Sequence, residues 1–319
     1  MILLKADKEH TFKITIHNII NGKVFDDVKD NFKNKKMKVI ISAVVLLFFL
    51  SSCNNDSESD IVYTNARNLM DVSYGPDSKQ KMDIYLPPNR SNSKTKVFVL
   101  IHGGGWTSGD KVDFNSYIPK LQMNLSDFAI VNINYRLVGS SVTYLLPYLT
   151  DDVKYVLDNL GQNSSEYGIK PEFVLCGVSA GGHLSMLYSY KYDDQKRVKA
   201  VVNIVGPTNF EDSYYTSYPQ YWDAIPFIID PSLLPPNYSA PKFASPITWV
   251  TNSSAPTISF FGSNDELVPP SQKTILDQKL QEKNVANESY LYNGGHGIGG
   301  DYENEIISKT KSFIYKYVK

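Results

Sequence analysis

The chain is short of cysteine, of histidine, of net charge and of long apolar runs, and each shortage closes off a class of protein. Its 319 residues hold two cysteines, Cys53 and Cys176, too few for a disulfide scaffold or a thiolate zinc site. The 32 basic residues stand against 33 acidic ones, so the basic excess expected of a nucleic-acid-binding surface is missing and nucleic acid is not an expected partner. No segment repeats with a period of roughly 20–50 residues, which argues against solenoids and propellers. The apolar run Val39–Leu50 would rise only about 18 Å as a helix, short of the ~20 residues that a membrane span needs. Hydrophobic residues make up 42% and charged residues 20%, an ordinary globular balance that excludes wholesale disorder.

What is present divides the chain. Lys33, Lys35, Lys36 and Lys38 precede the apolar run, and small residues close it at Leu50-Ser51-Ser52-Cys53. A positive flank, a short apolar core and small residues at a boundary describe a secretory signal. The last four residues resemble a bacterial lipoprotein box, which implies that Cys53 is lipidated and becomes the membrane anchor. Such signals begin just before the apolar core, so residues 37–52 are read as the signal with Met37 as its start. Residues 1–36 are then a dispensable upstream extension or a mis-assigned start, and residues 53–64 a polar tether. On this reading the protein is an exported bacterial lipoprotein, expected at the outer membrane on its periplasmic or surface face. Beyond the signal only three histidines remain: His102, His183 and His296.

From about residue 69 short strand-like and longer helix-like segments alternate. Leu69–Ser73, Met82–Leu86, Val97–Ile101, Phe128–Asn134, Phe173–Val178, Lys199–Val205, Thr257–Gly262 and Glu288–Tyr292 read as strands. Asp151–Leu160, Ala180–Tyr190, Gln272–Leu280 and Tyr302–Val318 read as helices from their apolar spacing. Buried strands alternating with helices predict an α/β fold, with a mostly parallel sheet covered on both faces. Pro207–Trp249 interrupts the pattern with a concentration of Tyr, Trp and Phe, and is read as a small lid or binding insertion, a locally packed aromatic cluster, or both.

Three places carry chemistry. Gly177-Val178-Ser179-Ala180-Gly181 lies between a strand and a helix, where a sharp turn projects the serine hydroxyl and the new helix aims its N–H groups at the reaction centre. His102-Gly103-Gly104-Gly105-Trp106 follows a buried strand; its glycines let the backbone bend and present N–H groups to a small anion. A serine nucleophile needs a base and an orienting acid. His102 is tied into the glycine loop and His183 lies inside the helix, which leaves His296, in a glycine-flanked loop after the last strand. Asp265, just past the strand Thr257–Gly262, is the expected acid; Glu266 and Asp301 are its rivals. The order Ser179, Asp265, His296 suits this architecture.

These stretches resemble the α/β-hydrolase esterase and lipase families from about Asn65 to the C-terminus, most closely the feruloyl and acetylxylan esterase-like hydrolases of Bacteroidetes-type bacteria. Met82–Pro87, Gly109-Asp110-Lys111, Asn134-Tyr135-Arg136, Ser179–Leu184, Ser245-Pro246, Val268-Pro269 and Gly295-His296-Gly297 carry the likeness. It implies an α/β-hydrolase domain over residues 65–319, with residues 207–249 as a lid insertion. It also implies Ser179 as nucleophile, His296 as base, Asp265 as orienter, and oxyanion donors at Gly104, Gly105 and Ala180, with Gly103 as an alternative to Gly105. Val178 stands where the hormone-sensitive-lipase branch carries Asp or Glu, which leans away from that branch. The expected activity is serine esterase chemistry on short acyl, feruloyl or acetyl esters of plant cell-wall carbohydrate, with no metal or organic cofactor. Trp106, Tyr214 and Trp222 are the expected substrate-binding residues. An arylformamidase, a lipase, or a non-catalytic glycan-binding protein on the same scaffold are the alternatives.

Overall fold

A continuous apolar strand such as Val97–Ile101 has no polar side to turn to water, so both of its faces must be covered. The computed structural model, which describes residues 60–217, 227–298 and 300–318, shows how. Val97, Val99 and Ile101 point into one buried cluster and Phe98 and Leu100 into another. Phe173 and Leu175 join the first cluster, and Val174 and Cys176 the second. Two cores therefore sandwich one sheet. Cys176 is buried, and burial pushes its thiol pKa up to about 12, leaving it a small core residue rather than a nucleophile.

The sheet has eight strands: β1 (Arg67–Ser73), β2 (Lys81–Leu86), β3 (Val97–Ile101), β4 (Ala129–Ile133), β5 (Phe173–Val178), β6 (Val198–Ile204), β7 (Thr257–Gly262) and β8 (Asn287–Tyr292), in the order β1-β2-β4-β3-β5-β6-β7-β8. β1, β2 and β4 pair antiparallel, and every pair from β4 to β8 is parallel. The mostly parallel α/β sheet predicted by the alternation is thus present, with an antiparallel edge.

Helices α1 (Ile118–Asn124), α2 (Tyr148–Gln162), α3 (Ala180–Leu187), α4 (Ser271–Glu282) and α5 (Glu303–Tyr317) cover it. Val153, Val156, Leu157 and Leu160 of α2 enter the first core, and Ile306, Phe313 and Ile314 of α5 the second. The apolar spacing of the sequence predicted both. It did not predict α1, whose start relies on a proline in its first turn, where the missing N–H costs nothing. It also ran α3 too far. The α-helix stops at Leu187 and widens into a π-turn over Tyr188–Tyr192.

The described part of the insertion, 207–217 and 227–249, contains short helical turns at Ser213–Ser217, Pro231–Leu233, Ala240–Ala244 and Pro246–Trp249. Its aromatic side chains pack on one another. Tyr238 stacks on Trp249 with centroids 5.4 Å apart, Phe243 meets Trp249 edge-on, and the Lys191 ammonium sits 3.3 Å from the Trp249 ring centre. Ser245 pins the segment by accepting from the Phe210 N–H at 2.8 Å and donating to the Pro241 carbonyl at 2.7 Å. The signal and residues 53–59 of the tether, Cys53 included, lie outside the described residues. The tether's end is not free as expected, because the Tyr63 N–H donates to the Arg90 carbonyl at 2.9 Å and its hydroxyl to the Ser165 carbonyl at 2.6 Å. Among those described, no helix is long and apolar enough to cross a membrane.

Candidate active site

The carboxyl ends of β5, β7 and β8 share one edge of the sheet, the edge at which such folds place ligands. Ser179 follows β5 directly. Its φ of 54° and ψ of −117° are a conformation rarely tolerated by a residue with a Cβ. The turn holds because its neighbours leave it no alternative. The Ser179 N–H donates to the Ile204 carbonyl at 2.8 Å, and the His183 N–H to the Ser179 carbonyl at 3.0 Å. A Cβ on Gly177 would strike the Gly181 backbone, and one on Gly181 would strike the Ile101 carbonyl. Only glycine permits strand, turn and helix to pack this closely.

His296 reaches the serine from the last strand. The Asn264 N–H donates to the Gly294 carbonyl at 2.9 Å and the Ser263 N–H to the Tyr292 carbonyl at 2.8 Å, which folds the loop after β8 back over the end of β7. Gly262 makes room for it, since a Cβ there would meet the Gly294 and Gly295 carbonyls. Asp265 is buried, and its Oδ1 accepts from the Leu267 and Val268 N–H groups at 2.9 and 2.8 Å. Its Oδ2 lies 2.8 Å from His296 Nδ1, and His296 Nε2 lies 2.8 Å from Ser179 Oγ. A carboxylate only accepts, so Nδ1 carries the proton toward Asp265, and Nε2 is left as acceptor for the serine hydroxyl. Glu266, the adjacent rival, is exposed.

The glycine loop stands on the other side of Ser179. Gly104 and Gly105 have φ of 104° and 56°. Gly103 packs against the serine: a Cβ on it would lie 3.4 Å from Ser179 Cβ. Among the described residues, the N–H groups of Gly104, Gly105 and Ala180 donate no hydrogen bond. Below the loop the sequence motifs find their purpose. Tyr135 stacks on His102 at 4.2 Å and donates its hydroxyl to the His102 carbonyl at 3.1 Å. Asn134 Oδ1 accepts from the Lys111 N–H at 2.6 Å, and the Lys111 ammonium sits 2.7 Å from Asp83. Arg136 pairs with the buried Asp152 at 2.7 Å.

Two of the expected substrate-binding residues also hold the structure together. Trp106 is 6% exposed, and its indole N–H points inward, 3.3 Å from His183 Nδ1. The His183 Nε2–H in turn donates to the Ala244 carbonyl at 2.8 Å. That pattern fixes the tautomer, and burial lowers the pKa of the imidazole to about 4, so it stays neutral. His183 therefore ties the glycine loop to the insertion, a role that elimination of it as a base left unassigned. Tyr214 is committed as well: its hydroxyl donates to the Glu266 carbonyl at 2.9 Å, as that of Tyr215 does to Leu267 at 3.0 Å. Both tether the insertion to the loop of Asp265. Trp222 lies outside the described residues.

A cavity of about 740 Å³ is lined by Gly103, Gly104 and His296 of the site and by Phe98, Leu100, Phe114 and Ile306. Its walls are mainly apolar, as expected of a small-molecule site.

Comparison with known proteins agrees with this architecture. The BD-FAE family model matches residues 82–280, more than half of the chain and ending before His296. Esterase LipC of Mycobacterium tuberculosis is 25% identical over 242 residues, covering 72% of this chain and 59% of that protein. The chain thus spans less than two thirds of this relative's length. The bifunctional GH43-CE of Bacteroides eggerthii superposes with a TM-score of 0.65 at 24% identity, over 79% of this chain and 38% of that one. A truncated carbohydrate esterase from gut microbiota superposes at 0.63 with 21% identity, over 80% and 98%. These two likenesses establish the fold alone, and the fold is that of the α/β-hydrolases.

Proposed function

Because the chain belongs to the BD-FAE family, we propose that it is a serine hydrolase of carboxylic esters working through an acyl-enzyme. The observation that supports this reading is the unbroken hydrogen-bonded chain from Ser179 through His296 to Asp265. Ser179 Oγ attacks the ester carbonyl as His296 Nε2 takes its proton, and Asp265 holds the imidazole and stabilises the imidazolium. The alkoxide-like oxygen of the tetrahedral intermediate is held by the Ala180 N–H and by two of the Gly103–Gly105 N–H groups, each worth a few kcal/mol in the transition state. His296 then gives its proton to the leaving alcohol, and water attacks the acyl-enzyme by the reverse route.

The substrates are short acyl, feruloyl or acetyl esters of plant cell-wall carbohydrate. The sequence resemblance supports this, and so does the apolar cavity beside His296, which has room for a small acyl or aromatic group. The likeness in fold to proteins described as GH43-CE and carbohydrate esterase agrees with it. With Cys53 lipidated, the enzyme acts as a lipoprotein at the outer membrane.

A fluorophosphonate probe is expected to label the protein, and Ser179→Ala to abolish labelling and lower ester turnover by at least about 10⁴-fold. Labelling that survives Ser179→Ala refutes the nucleophile. Turnover of nitrophenyl esters without any acetyl-xylan or feruloyl ester refutes the carbohydrate substrate, and preference for an arylformamide makes the protein an amide hydrolase.

A further inference from the structure

A second hollow lies where the glycine loop leaves the catalytic edge. Its volume is about 400 Å³, and Thr107, Ser140, Ser141, Val142, Thr143 and Phe227 are among its walls. None of the described residues that line it is charged, so a phosphate, carboxylate or ammonium would meet no counter-charge among them. Four of these six side chains, Thr107, Ser140, Ser141 and Thr143, carry hydroxyls. The large apolar surface is Phe227, 64% exposed, with the Tyr144 ring against it edge-on at 5.7 Å.

An exposed phenylalanine is unremarkable when it is loose, but this one is held. The Leu145 N–H donates to the Phe227 carbonyl and the Leu146 N–H to that of Ile228, each at 3.0 Å. The backbone of Phe227 has φ of 44°, a left-handed conformation that a bulky residue adopts only at a cost of roughly 1–2 kcal/mol. Strain of this kind persists where surrounding bonds impose it, and it gathers at binding sites. The facing loop is equally fixed, by the Val138 N–H on the Trp106 carbonyl at 2.9 Å and the Gly139 N–H on the Val142 carbonyl at 2.8 Å. Thr107 is two residues from Gly105, so the hollow begins within about 8 Å of the glycine loop measured along the chain.

We propose that this hollow is a subsite for a neutral sugar ring, one that flanks the esterified ring of a carbohydrate chain. A sugar ring has an apolar C–H face and a rim of hydroxyls. The face stacks on Phe227, and the rim meets the hydroxyls of Ser140, Ser141 and Thr143. The volume, near the low end of the roughly 300–1,000 Å³ of small-ligand sites, admits a single ring. The inference rests on the carbohydrate-ester reading and extends it, by naming where the chain beyond the ester is gripped.

The test compares a substrate that reaches the hollow with one that does not. In the full chain, Phe227→Ala is expected to lower kcat/KM on an acetylated xylo-oligosaccharide about tenfold, equivalent to about 1.4 kcal/mol, and to leave p-nitrophenyl acetate within twofold. Phe227→Tyr, which keeps the ring, restores the oligosaccharide rate. Equal loss on both substrates makes Phe227 a prop for the loop and overturns the subsite, as does no loss on either. Binding of unesterified xylo-oligosaccharide to Ser179→Ala, with and without Phe227→Ala, separates this claim from the catalytic one. A protein that hydrolyses no carbohydrate ester yet binds the oligosaccharide through Phe227 has lost the proposed function and kept the subsite. Absent or Phe227-independent binding overturns the subsite whatever the protein hydrolyses.

Discussion

The turn that carries Ser179 and the loop that carries His296 supply two ends of one hydrogen bond, and they are built in opposite ways. The serine is placed by backbone. Strand β5, helix α3 and the neighbouring strands crowd the turn until only one conformation remains, strained as it is. The histidine is placed by partners. Its loop is rich in glycine and open to solvent, and a Cβ on Gly297 would touch nothing within 4 Å. What orients the ring is the Asp265 carboxylate, itself fixed by two backbone N–H groups. A nucleophile must stand still at a defined point, whereas a base must also rotate its proton between serine and leaving group, and the two constructions match those tasks.

That contrast can be broken most forcefully at Asp265. Asp265→Asn should lower kcat by about 10³- to 10⁴-fold, because an amide in place of Oδ2 no longer selects the tautomer with an acceptor at Nε2. Thermal stability should change little by comparison, since Oδ1 can still accept from Leu267 and Val268. A rate within tenfold of the parent would show that the loop alone orients His296.

The middle effect belongs to His183, which braces the glycine loop from behind. His183→Ala leaves the Trp106 N–H and the Ala244 carbonyl unpaired and opens a void, at a cost of about 2–4 kcal/mol of stability. Burial holds the folded pKa near 4, below the ordinary 6.5. Between these values the unfolded chain binds more protons than the folded one. The stability that depends on neutral His183 is therefore complete above pH 6.5 and lost as pH falls toward 4, by up to about 3 kcal/mol. Denaturant titrations at pH 7 and pH 4.5 should show that slope in the parent and a shallower one in His183→Gln. Equal slopes would place the imidazole in water.

The smallest effect sharpens the comparison by a matched pair. Gly297→Ala should alter stability by no more than about 0.5 kcal/mol and activity by less than twofold, because its Cβ enters open space. Gly181→Ala, the same methyl on the crowded side, should yield no correctly folded protein. Similar behaviour of the two variants, in expression and in ester turnover, would remove the distinction between a placed turn and an oriented loop.

Much of this was legible before any coordinates. The two-sided burial of β3 and β5 follows from runs without a polar alternate, and α2 and α5 follow from apolar spacing. Ser179 and the glycine loop stand out because glycines at fixed offsets from a strand have few other uses. His296 emerged by elimination among three histidines. The structural places of Trp106 and Tyr214 were not legible, since aromatic residues serve equally well to pack and to bind, and their burial and hydrogen bonds appear only in the fold. His183 and the motif residues Asp83, Lys111, Asn134 and Arg136 gave no local sign of what they brace. Their partners are distant in sequence, as with His183 and Ala244, and their value lies in a buried network that no window of the chain contains.

The sequence by itself determined the eight strands and the helices α2, α4 and α5, and where the backbone must be glycine, because these depend on periodicity and on the absence of a side chain. The tertiary structure alone decided that a carboxylate after β7, an imidazole after β8 and a hydroxyl after β5 stand 2.8 Å apart in succession. Strand order sets that meeting, and strand order is fixed by packing across the whole sheet.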